Sequence, residues 1–253
     1  MTAQGRIVSD LQDQRGMKHS DLHECSQLNE MKVDMAMLNV LAAWHMAGNN
    51  ILIEQMPIIG GYCGGVEETA ICDVATTIAS FALLSADIHL GGPIHVRWGT
   101  TTNRQSLQVA AHTAMALDTN TDILLGNQYY AMAGPCTEMN LLETAAQAMC
   151  DTASGRELLS GVASAKGVIK NQVSAMESRM MGEASMATCG MDVSEVNDII
   201  DRILKEYEPM YMNPPLGKSF QECYDLDNVQ PTEEYLQVYD NALNKLSDCG
   251  IDF

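Results

Sequence analysis

Along this chain, short apolar runs alternate with longer stretches of helical periodicity. Leu28, Met31, Met35, Leu38 and Ala42 recur at helical spacing and predict a first helix over about 26–47, with Gly48 placed to end it. An apolar run, Ile51–Glu54, predicts the first strand. A Gly-rich loop over 60–65 follows, and Val66 opens a second helix with Ile71, Val74, Ile78 and Ala82 inward. A second strand is predicted at Ile94–Arg97, entered through Gly91, Gly92 and Pro93. The helix after it starts near Asn103 and turns Leu107, Ala110, Ala111, Ala114 and Met115 inward. The third strand is predicted at Asp122–Leu125, with a loop at Gly126–Tyr130 and a helix over about 137–151. The fourth is predicted at Glu157–Ser160.

Beyond residue 161 the pattern is helical. Asp192 to Glu195 resembles a capping box with Asp as the cap. It opens a helix whose face is Val196, Ile199, Ile200, Ile203 and Tyr207. Pro214 and Pro215 break the chain, and a last helix begins near Pro231 with Tyr235, Val238, Ala242 and Leu246 inward.

Strands that alternate with helices imply a parallel sheet, here of the βα-barrel kind, whose functional loops follow the strand C-termini. A complete barrel needs eight strands in roughly 250 residues, and only four are predicted. Unpaired parallel edges are a liability in soluble proteins, so the chain reads as an incomplete barrel. An open doubly wound sheet is the alternative. No linker divides the 253 residues, so one partial domain is expected over 1–253.

Composition narrows the function. The net charge is -19, from 14 basic and 33 acidic residues. That surface repels phosphate backbones and argues against nucleic-acid binding. It suits a cationic substrate or a basic partner, although acidity also simply maintains solubility. Eight cysteines without a Cys-x-x-Cys pair fit free thiols in a reducing cytoplasm. No stretch reaches the roughly 18 apolar residues of a membrane helix. Eighteen methionines and few aromatics imply an aliphatic, adaptable core.

Candidate chemistry gathers near the predicted strand ends: Glu54, Arg97 with Trp98, Gln128 with Tyr130, and Glu24 ahead of the first helix. Glu54, after three apolar residues, is a candidate proton acceptor, or else the partner of Arg97 or a helix cap. Gln128 and Tyr130 suit a small polar ligand, or the amide serves a turn. The Gly-rich loop lacks the Lys and Ser/Thr of a P-loop and suits a mobile cover over a barrel mouth. His19, Asp21, His23 and Glu24 are either a metal cluster or, as favoured here, a solvated loop. No nucleophile elbow is present.

Several stretches resemble the monomethylamine methyltransferases, the family known for carrying pyrrolysine. They include Glu54-Gln55-Met56-Pro57, Gly92 through Gly99, Gly126-Asn127-Gln128-Tyr129-Tyr130, Gly134 through Met139, Met180-Met181-Gly182-Glu183 and Phe220 through Asp225. The resemblance spans about 3–253. It implies a (β/α)8 barrel of TIM type, of which this chain is the C-terminal part with additional C-terminal helices, assembled as a cytoplasmic homo-oligomer. It implies that the methyl group of monomethylamine passes to the cobalt of a corrinoid carried by a separate, cognate protein, with no cofactor or metal bound directly. Glu54 and Gln128 would contact the pyrroline ring, with Glu24 and Tyr130 completing the polar shell. Pyrrolysine is absent from these residues. The resemblance would put it just before Met1, at an in-frame amber codon, so the chain is expected to be inactive alone. A non-catalytic half-barrel that serves binding or assembly is the alternative.

Overall fold

The computed structural model describes residues 18, 20–26 and 32–253. The start of the predicted first helix, at 27–31, and His19 lie outside them. Strands β1 (Leu22–Ser26), β2 (Asn50–Glu54), β4 (Ile88–Gly91), β6 (Leu125–Tyr130) and β7 (Leu158–Ala163) form one parallel sheet in that order. A separate parallel pair joins β3 (Ile58–Ile59) to β5 (Ile94–His95).

Each strand of the main sheet lies beside the one before it, with no reversal of strand order. A doubly wound sheet would show a switch point. The arc is therefore part of a βα barrel. Among the described residues, β1 and β7 are its two edges.

The strand count and positions differ from expectation. The sheet has five strands rather than four. The added one, β1, hides in the sequence because Leu22, Glu24 and Ser26 alternate with His23 and Cys25 and give no apolar run. The main-sheet strand after β2 is Ile88–Gly91 rather than Ile94–Arg97. Its central residue is a fully buried histidine, and that polar centre masks the strand. His89 Nδ1 meets Ser80 Oγ at 3.0 Å, and burial, then the Arg156 charge, pushes its pKa down to about 3, so the ring is neutral. Strand β6 extends to Tyr130, so Gln128 and Tyr130 sit on a strand and not in a loop.

Helix α1 (Met35–Met46) buries Met37, Leu41 and Trp44 against Ile51 and Ile53. The expected Met35, Leu38 and Ala42 face outward. Helix α2 (Val66–Leu84) is reversed more sharply. It buries Thr69, Asp73, Thr76, Thr77 and Ser80, while Ile71, Ile78 and Leu83 are 70%, 46% and 75% exposed. The surface beneath α2 is polar: Thr76 Oγ1 donates to Gln55 Oε1 at 2.9 Å, and Ser80 meets His89. A buried polar group requires a partner, so the polar face of α2 turns inward.

Helix α3 (Arg104–Asn120) is capped by Asn103 and buries Leu107, Val109, Ala110, Ala114 and Leu117, leaving Met115 exposed. Helix α4 (Glu138–Ala153), capped by Thr137, is almost wholly buried. It is enclosed because α5 (Ala175–Thr188), α6 (Val193–Tyr207) and α8 (Glu233–Asp248) pack on the face that turns away from the sheet. The faces of α6 and α8 follow the expected periodicity, and Asp192 caps α6. Between them a short helix α7 (Phe220–Cys223) leads into a hairpin of β8 (Tyr224–Asp225) and β9 (Gln230–Pro231). This helical layer holds the main hydrophobic core and fixes the backs of β6 and β7.

Candidate active site

Side chains alternate across a strand, so β2 divides cleanly. Ile51 and Ile53 pack under α1, while Leu52 and Glu54 face the inner side of the arc. In register, Glu24 lies opposite Leu52, Ser26 opposite Glu54, and Glu54 opposite Leu90. On β6, Asn127 and Tyr129 point outward, with Asn127 Nδ2 bonded to both Asp151 oxygens at 2.7 and 2.9 Å and Tyr129 in the core. Gln128 and Tyr130 consequently share the inner face with Glu54.

Glu54 is the centre of this group and is 9% exposed. Its Oε1 accepts from Gln128 Nε2 at 2.7 Å, and its Oε2 accepts from Ser26 Oγ. Glu24 shares a hydrogen bond with it. Burial, that bond and the Glu54 charge together raise the Glu24 pKa. Burial, then the charges of Glu54 and Glu24, also raise the Tyr130 phenol. Two carboxyls that share a hydrogen bond favour holding one proton between them. The four expected residues are thus brought together, and Ser26 joins them.

Gly92 follows β4 at φ +146°, where a Cβ would lie 3.1 Å from Gln128 Cβ and 3.0 Å from Met56 Cε. Glycine is required for the backbone to pass so close beside Gln128. The backbone of Tyr130 is held as well. Its N–H donates to Thr101 Oγ1 at 2.9 Å, and its carbonyl accepts from the Thr101 N–H at 3.1 Å and from Thr100 Oγ1.

Three expectations are corrected. Arg97 is not the partner of Glu54: it is exposed, its guanidinium stacks 4.4 Å from the Trp98 ring centroid, and it reaches Met212 Sδ. Trp98 packs against Tyr211, at 5.4 Å between centroids. The Gly-rich loop is tied down by the β3–β5 pair and by Gly60 N–H to the Gly64 carbonyl at 2.7 Å. The segment around His23 is a strand and not a solvated loop. His23 is buried on the outer side against Trp44, 5.2 Å between centroids, away from the face that carries Glu24. Among the described residues no cluster of three or more His, Cys, Asp or Glu is arranged to hold a metal ion. All eight cysteines are free thiols.

The fold and site define an arc of a TIM-type barrel with paired carboxyls and an amide on its inner face. The family model for monomethylamine methyltransferase MtmB matches residues 1–251, and the chain belongs to that family. It is 54% identical over 255 residues to monomethylamine methyltransferase MtmB1 of Methanosarcina acetivorans, covering 100% of this chain and 55% of the relative. The crystal structure of the Methanosarcina barkeri monomethylamine methyltransferase matches with a TM-score of 0.96 at 53% identity, again covering 100% of this chain and 55% of that one. A crystal structure of the hydroxylamine MtmB complex matches with the same values. The chain therefore spans about half the length of the relatives it matches.

Proposed function

We propose that this chain supplies the acid–base and orienting part of a methyltransferase site that moves the methyl group of monomethylamine to the cobalt of a corrinoid held by a separate protein. The observation that carries the proposal is the Glu24–Glu54–Gln128–Tyr130 group on the inner face of the arc, in a chain of this family.

An imine of pyrrolysine, absent from these 253 residues, would supply the electrophile that takes up the amine, and the corrinoid would supply the methyl acceptor, the nitrogen leaving as ammonia. Glu54, fixed by Ser26 and Gln128, offsets the positive charge of a bound alkylammonium group. Glu24, with its raised pKa, takes up and returns a proton at the amine nitrogen. Gln128, its amide plane fixed by Glu54, orients the group bound beside it. Tyr130 stays a neutral phenol and a hydrogen-bond donor. A carboxyl pair of this kind favours a small cation over an anion or a neutral ligand.

The same reading makes the protein a cytoplasmic homo-oligomer. The outward pair Ile71 and Ile78, two turns apart on one face of α2, supports assembly, since exposed apolar surface marks an interaction site. No helix among the described residues is long and apolar enough to cross a membrane.

The test compares a chain of the full length typical of the relatives with residues 1–253 alone, assaying labelled monomethylamine as donor and a corrinoid protein as acceptor. Transfer by the longer chain and none by residues 1–253 is expected. Turnover by residues 1–253 alone would overturn the proposal.

A further inference from the structure

We infer that Gln147, on the outer side of the sheet, is a positioning residue that sets the height and direction of both Gln128 and Tyr130. The inference rests on the methyltransferase reading above. The pairing of β6 with β7 slips at Gln128: Asn127 lies opposite Leu159, but Tyr129 lies opposite Val162, so β7 carries one extra residue at that point. A bulge leaves the local ladder incomplete and re-aims a side chain. The Gln128 carbonyl falls in this gap and takes its hydrogen bond from Gln147 Nε2 at 2.8 Å.

The other end of the Gln147 amide is also engaged. Its Oε1 accepts from Thr101 Oγ1 at 2.6 Å, and the same hydroxyl accepts the Tyr130 N–H at 2.9 Å. One buried amide thus joins the backbone of Gln128 to that of Tyr130 through a single threonine. Gln147 is 0% and Thr101 1% exposed, so the link is shielded from bulk solvent. One turn further along α4, Asp151 grips Asn127. Asn127, Gln128 and Tyr130 of β6 are therefore anchored from behind, and the freedom that a bulge confers is removed where the inner face carries the site. A displacement of about 1 Å at such a point can cost on the order of a hundredfold in rate.

The test uses the full-length protein with monomethylamine and a corrinoid protein. Gln147→Met keeps the volume but neither donates nor accepts through an amide. It is expected to lower kcat roughly ten- to a hundredfold with little change in KM. In a background that carries both Gln128→Ala and Tyr130→Phe the same change is expected to cost no more than about twofold, because coupled residues are non-additive. Equal losses in both backgrounds would overturn the inference and leave Gln147 a packing residue. Should Gln147→Met not fold, Thr101→Val probes the same link from its other end, with the same expectation. Amide hydrogen exchange at Tyr130 gives an activity-independent reading. Faster exchange in either variant is expected, and unchanged exchange would overturn the inference. Absence of transfer by the unaltered protein, together with faster exchange in the variants, would sink the methyltransferase reading and leave the link intact.

Discussion

Gln128 Nε2 and Glu54 Oε1 lie 2.7 Å apart although 74 residues separate them in the chain. Strand β4 lies between their strands in the sheet, so the contact spans its inner face. That contact joins two strand ends into one site, and Glu54 accepts simultaneously from Ser26.

Replacing Glu54 with Gln keeps the shape but turns one of its two acceptors into a donor facing Ser26 or Gln128. In the full-length protein, kcat for methyl transfer should fall roughly a hundred- to ten-thousandfold. Steady-state kinetics, with circular dichroism to verify folding, checks this. Unchanged turnover in a folded variant would remove Glu54 from the site.

Glu24 holds its proton above the ordinary carboxyl range because of burial, its hydrogen bond to Glu54 and the Glu54 charge. In Glu54→Gln the charge vanishes, and the amide that replaces it can donate to the Glu24 carboxylate, which favours the ionised form. Isotope-edited infrared titration of the Glu24 carboxyl should then show its pKa moving down. An unmoved titration would mean that the two carboxyls do not interact.

Much of this arrangement is legible in the sequence, and its failures have physical causes. Glu54 announces itself as a carboxylate at the end of an apolar strand, and Asp192, Ile199 and Ile203 give a correct helix with a correct face. The sequence groups Glu24 with the site but hides its strand, because Glu24 and Ser26 make the inner face of β1 polar. His89 concealed β4 in the same way. The face of α2 was inverted because apolar periodicity assumes an apolar surface beneath the helix, and Gln55 and His89 make that surface polar. Thr101 and Gln147 carry no signal until the fold joins them, apart from the unusual run Thr100-Thr101-Thr102. Arg97 failed as a site residue because β5 pairs outside the main sheet.

Glu143 gives a pH-dependent stability signal. Fully buried, it accepts from the Met132 and Ala133 N–H groups at 2.9 and 3.0 Å and from Thr102 at 2.6 Å. Burial outweighs these bonds and raises its pKa from 4.5 to about 7. The folded chain therefore holds this proton more tightly than the unfolded chain. The resulting stability is complete below pH 4.5 and is lost as pH rises through about 7. Urea unfolding between about pH 5 and 8 should show the unaltered protein losing roughly 3 kcal/mol relative to Glu143→Gln. Parallel pH profiles for the two proteins would contradict this.

The outward face of α2 makes a prediction about assembly. Ile71 and Ile78 lie two turns apart on one face and are largely exposed. In the full-length protein, Ile71→Glu with Ile78→Glu should shift the mass measured by light scattering towards a smaller species, because charges at an apolar interface are left unpaired. An unchanged mass would place the assembly surface elsewhere.

The central claim is that Glu54, Glu24 and Gln128 handle the amine during methyl transfer. The most direct measurement is a single-turnover assay of the full-length protein, in which the corrinoid absorbance reports arrival of the methyl group from monomethylamine. The account predicts transfer by the unaltered protein, and loss of the fast phase in Glu54→Gln and Gln128→Ala while both remain folded. Transfer at the same rate in all three proteins would contradict it.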